Sequence, residues 1–180
     1  ITGRFVDAAT EGLFYSTEDG FFGVTNSKGE FQCKDNSIVT FRLGEGGPLL
    51  GKTKCNSAVS PFDLTDDGQK LIINHERASS VAQLLQTLDQ DKNPSNGITI
   101  NQEALEKLNG QKEFSYSEPS KSEQELKEWL AANSELNIQI VSLKNAISHM
   151  EETLKNDPEF NGIACEFYES NYESNLKKYL

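Results

Sequence analysis

The sequence predicts an α+β protein, with a small antiparallel β-sandwich over residues 1–64 followed by a mainly helical part over 65–180. Turn pairs cut the first part into short β-prone runs: Asp19-Gly20, Lys28-Gly29 and Gly46-Gly47-Pro48. Punctuation of that kind about every eight to twelve residues is the pattern of a sandwich or barrel. From about residue 76 the period changes, and apolar residues recur three and four positions apart, as on one face of a helix. At 180 residues and 36% apolar composition, the chain is long enough to bury a core without metals or cross-links.

The strands follow in order. Ile1 to Val6 reads as the first, and Gly12-Leu13-Phe14-Tyr15-Ser16-Thr17, Gly23-Val24-Thr25 and Glu30-Phe31-Gln32-Cys33 as the next three. In Ser37 to Leu43, Val39, Phe41 and Leu43 fall on one face and Thr40 and Arg42 on the other, the alternation of a half-buried strand. Gly44-Glu45-Gly46-Gly47-Pro48 then reads as a hairpin bend.

After Ser60-Pro61-Phe62-Asp63-Leu64 come a turn at Asp66-Asp67-Gly68 and a short apolar segment over 70–74. Ala78, Val81, Leu84, Leu85 and Leu88 then draw a helix starting at about Glu76, which residues 89–97 break. A short helix is expected from Asn101, as N-cap, to Leu108. Ser122 with Glu125 three residues on has the form of a capping box for the next helix, through Leu126, Trp129 and Leu130. The longest helix is expected to carry Leu136, Ile140, Leu143, Ile147, Met150 and Leu154 as one stripe, ended by Asn156-Asp157-Pro158. An aromatic, acidic tail occupies 159–180.

Charge narrows the partners. Seventeen Lys and Arg stand against 28 Asp and Glu, for a net charge of -11. Nucleic-acid binding needs clustered cations that displace counterions from phosphates, and the densest basic pair is Lys177-Lys178, with acids upstream. No nucleic acid is expected as a partner. No apolar run approaches the roughly eighteen residues that read as a transmembrane helix, so no transmembrane segment is expected. The chain opens directly on a strand-like segment, as a trimmed or mature product would, and membrane attachment would need a lipid anchor not present in this chain.

Cys33 and Cys55 both lie near strand ends in the β-rich part, while Cys165 stands apart. A Cys33–Cys55 disulfide is expected, worth about 3 kcal/mol for a loop of this size. The competing reading is a pair of free buried thiols in a reducing compartment. Paired CxxC spacing, which a zinc site would use, is absent.

Motifs for catalysis are also missing. His75 and His149 lack the HExxH spacing and read as surface helix positions. There is no GxSxG elbow, and the 44–48 glycines lack the ending of a phosphate loop. Two residue patterns suggest binding. Asp89, Asp91 and Asn93 supply oxygen side chains at alternate positions, as the start of a calcium loop does, although Pro94 stands where an EF-hand has glycine and Ile100 where it has glutamate. The other reading of that segment is a polar helix-ending turn. Phe21 and Phe22, following Asp19-Gly20, are candidates for a binding face.

The runs at 12–17, 23–31 and 39–44, with Leu50-Gly51 and Ser60 to Leu64, resemble a β-rich module that recurs in bacterial secreted proteins and lipoproteins. Their Gly23-to-Phe31 portion is similar to carboxypeptidase-regulatory-like, transthyretin-like sandwich domains. The likeness extends from residue 3 to about 101, through Leu84 to Asp91 and Asn96 to Ile100. It implies a non-catalytic spacer or binding module and no catalytic residue. The resulting expectation is a secreted, periplasmic or surface module that engages a protein or cell-surface ligand. A hydrolase built from scattered acids is the alternative.

Overall fold

The computed structural model describes residues 1–69, 74–111 and 113–160. The apolar segment expected over 70–74 falls largely outside them, as do Cys165 and the tail from 161. The described chain is α+β, with nine strands and four α-helices. The strands are β1 (Thr2–Phe5), β2 (Thr10–Glu11), β3 (Phe14–Thr17), β4 (Phe22–Val24), β5 (Glu30–Gln32), β6 (Ile38–Arg42), β7 (Leu49–Lys54), β8 (Ala58–Val59) and β9 (Ile98–Thr99).

They form three sheets: β5-β1-β8, β2-β9 and β4-β3-β6-β7. Pairing is mostly antiparallel, with β1–β8 and β2–β9 parallel. The alternation in β6 places Val39 and Phe41 in the core and leaves Thr40 and Arg42 half-buried. Phe41 is also where rings from two sheets meet, 5.0 Å from Phe5 and 5.1 Å from Phe31, both edge-on. Gly3 makes this packing possible: a Cβ there would lie 2.4 Å from the Phe31 ring and 2.5 Å from the Asn56 carbonyl oxygen. The 44–48 segment is the expected bend, joining β6 to β7 with the Leu43 N–H donating to the Pro48 carbonyl.

Cys33 and Cys55, just beyond β5 and β7, are joined by a disulfide with Cα atoms 5.8 Å apart.

The helices are α1 (His75–Thr87), α2 (Gln102–Leu108), α3 (Pro119–Ala132) and α4 (Leu143–Asn156). Asn74 and Asn101 cap the first two, their side-chain oxygens accepting from Arg77 and Ala104 N–H. Two helix starts differ from expectation. The third helix begins at Pro119 and Ser122 is buried within it, because proline's fixed φ suits the first helical position. Glu125 instead accepts from the Ser115 N–H and hydroxyl, holding down the preceding loop.

The expected stripe from Leu136 to Leu154 divides. Asn137 adopts a left-handed conformation with φ 54°, which stops a helix, and Ser142 caps a new one. Leu136 and Ile140 pack at the edge of the main cluster, whereas Leu143, Ile147, Met150 and Leu154 form a second cluster with Val6, Phe62, Ala78 and Ala82. The main cluster draws residues from both sides of residue 64, from Phe5 to Trp129.

Two outcomes follow from this packing. Intact mass with thiol alkylation should find Cys33 and Cys55 blocked until reduction, and reduction should cost about 3 kcal/mol of stability. Ile147→Asp places a charge where exposure is 1% and should cost about 3 kcal/mol or more. Ile140→Asp, at a half-buried position, should cost distinctly less. Equal melting temperatures for these two variants would contradict the division of the stripe.

Candidate functional site

The antiparallel β3–β4 pair sets Phe14 opposite Val24 and Ser16 opposite Phe22. Side chains alternate along a strand, so Tyr15 points inward, 5.8 Å from Phe31, while Phe14, Phe22 and Val24 share the outer face. Gly23 lies over the buried Tyr15, where a Cβ would approach the phenol oxygen to 3.0 Å. β4 is the edge strand of its sheet. Phe22 is 73% exposed and Val24 61%, an unusual load for an edge that other chains can reach.

The opposite wall is α2. Its Ala104 and Leu108, four apart, face the core and are fully buried. That orientation turns Leu105 and Glu106 toward the outer face of β3 and β4. The bend after β6 closes one end, and the Gly110 N–H donates to the Gly46 carbonyl at 2.8 Å, fastening the end of α2 to the bend. Gly46 lies close against the side chain of Asn109, where a Cβ would collide with it.

Between these walls is a cleft of about 530 Å³, lined by Phe14, Phe22, Val24 and Leu105, with Glu45, Gln102, Glu106 and Asn109 supplying polar groups. An apolar cleft with a few polar groups is the usual form of a ligand site.

Of the two aromatic candidates, Phe22 lines this cleft. Phe21 does not line it and lies on the β3–β4 turn, its N–H donating to the Thr17 hydroxyl. Sequence reasoning missed Val24 and Leu105. The Phe22-x-Val24 alternation was available as a signal. Leu105 was not distinguishable from a core residue, since it follows Ala104 directly.

The acidic loop is built differently. Asp89, just past α1, is 1% exposed. Its Oδ1 accepts from the Thr99 N–H at 3.1 Å, and its Oδ2 is buried without a hydrogen-bond partner. Asp91 is exposed and accepts from the Asn93 N–H and the Asn96 side chain. Asn93 accepts from the Ser95 hydroxyl. Burial, aided by the charge of Asp91, pushes Asp89 up to about 6, while the backbone and side-chain donors hold Asp91 below the ordinary range. Among the described residues, no three or more His, Cys, Asp or Glu side chains cluster as a metal set.

Neither histidine is a surface residue as expected. His75 is 6% exposed and packs edge-on against Phe62. His149 is half-buried, near the Thr153 hydroxyl and the Asp7 backbone. Burial lowers both below the usual imidazole range. No helix among the described residues is long and apolar enough to cross a membrane. No family model, curated protein or solved structure matches the chain.

The pH dependence has a definite sign. Asp89 holds its proton to about 6 when folded, against 3.8 for an ordinary aspartate. Its contribution is therefore fully present below pH 3.8 and is lost as pH rises to about 6. The loss amounts to at most about 3 kcal/mol. Denaturation across that window, in metal-free buffer, should show the fall in the parent and a smaller one in Asp89→Asn. Asp7, also raised by burial, slopes the same way in both proteins and cancels in the difference. Parallel curves would contradict the assignment.

Proposed function

We propose that this chain is a non-catalytic binding module of an exported bacterial protein, acting in the periplasm or at the cell surface. Its three- and four-stranded sheets serve as the two layers of a small sandwich, in keeping with the module it resembles. The observation that carries the reading is the exposure of Phe22 and Val24, at 73% and 61%, at the mouth of an apolar cleft. Large apolar groups left in water beside a cleft are stabilised when a ligand covers them.

The ligand group best matched is apolar with an adjacent cation, presented by a protein or cell-surface partner. Phe14, Phe22, Val24 and Leu105 offer the apolar surface, and Glu45 and Glu106 line the same cleft. A chain of net charge -11 adds long-range attraction for cationic partners. The Cys33–Cys55 disulfide supports an oxidising compartment.

The test pairs a neutral dye with a small cation. Nile red should bind the parent, and phenethylammonium should perturb the amides of 14, 22–24, 44–46 and 102–109. Phe22→Ser/Val24→Ser should weaken both by about tenfold, as loss of most of the apolar wall predicts, with an unchanged melting temperature because both positions are exposed. Glu106→Gln should weaken only the cation. Undiminished dye binding in the double variant would refute the cleft as the site.

A further inference from the structure

We propose that the loop from Asp89 to Asn96 is a calcium site, with the Asp89 and Asp91 carboxylates as its charged ligands and Asn93 as a neutral one. The argument starts from an anomaly. Oxygen atoms buried without a partner are costly in a folded protein, and Asp89 has one: its Oδ2 finds no donor although the residue is 1% exposed. Asp91, two residues on in the same loop, brings a second carboxylate, which offers no donor when ionised. Two carboxyl groups so placed hold either a shared proton or a cation.

Lys92 does not fill this position. Its ammonium donates to the Thr87 carbonyl at 2.9 Å, closing the end of α1. The loop is otherwise rich in uncharged oxygen, from Asn93, Ser95, Asn96 and the backbone. Oxygen donors without nitrogen or sulfur select a hard divalent ion, and a flexible loop suits calcium better than the rigid octahedron of magnesium.

The backbone around the site is already ordered. Gln90 N–H donates to the Thr99 carbonyl at 2.8 Å and Asn101 N–H to the Leu88 carbonyl at 2.9 Å, pairing the two ends of the loop. The ion would thus meet a preformed mouth, with only the 91–96 side chains to rearrange. Two charged ligands place the affinity at the weak end of the calcium range, with Kd about 0.1–1 mM.

The experiment is a calcium titration of the full chain, stripped of metal and held at neutral pH, followed by amide shifts and by melting temperature. Saturable shifts centred on residues 88–101 and a raised melting temperature are expected. Asp91→Asn, an exposed change that leaves the fold intact, should weaken binding by at least about tenfold through loss of a charged ligand. Magnesium should act weakly. Non-saturating shifts spread over the acidic surface would overturn the proposal, as would an equal response in Asp91→Asn.

Discussion

The Gln86 side-chain amide joins three elements that have no backbone pairing with one another. From α1 its Nε2 reaches both Asp7 oxygens at 3.2 Å and the Ala146 carbonyl of α4 at 2.9 Å. Asp7 immediately follows Val6, which continues β1 into the second cluster, so the end of the N-terminal strand, the central helix and α4 meet at one side chain. Burial raises the Asp7 carboxyl well above its ordinary range. Burial thus disfavours a charge at this junction, and the Gln86 amide supplies donors to both carboxyl oxygens. A second link runs over the surface, where Arg4 of β1 pairs with Asp157 at 3.1 Å and Glu159 at 3.0 Å, beyond the end of α4.

This junction explains the composition of α1. Apart from Glu76, every residue from His75 to Thr87 is buried, including Ser79, Ser80, Gln83, Gln86 and Thr87. A helix surrounded on all sides must satisfy its polar groups within the protein. Gln83 donates to Glu123 of α3 and to the Val141 carbonyl, and the Thr87 hydroxyl accepts from the Val141 N–H. These bonds clamp the irregular stretch between α3 and α4 to the central helix. Their geometry is fixed by side chains, and the break in the Leu136-to-Leu154 stripe follows from it.

The elements legible in the sequence are those whose causes are local. The Val39-Thr40-Phe41 alternation, the Asn101 cap, the proline after α4 and the glycine-rich bend each act over a few residues, and each appears where the sequence places it. The features that were not legible depend on distant partners. Gln83 and Gln86 carry no local signal of their role, because an amide bonded to a remote carbonyl leaves the same residue pattern as one bonded to water. The Ser122–Glu125 pair has the spacing of a cap, but Glu125 is drawn to Ser115 and Pro119 sets an earlier start. The cleft was half legible for the same reason: Phe22 stands out in any reading, whereas the partner helix that makes it a wall comes from eighty residues further on.

That helix is anchored at its start by Asn101. Asn101 bonds the Leu88 carbonyl through its N–H and caps α2 through its side chain, so one residue ties the end of α1 to the start of α2. On the other side, β9 lies parallel to β2, with Ile98 and Ile100 N–H groups donating to Ala9 and Glu11 carbonyls. Ile100 packs against Gly12, which has φ +99° and where a Cβ would approach the Ile100 Cβ to 3.2 Å. Gly12 leads into β3 and so into Phe14, the floor of the cleft. The chain after the loop therefore reaches both walls, α2 through Asn101 and β3 through Ile100 against Gly12.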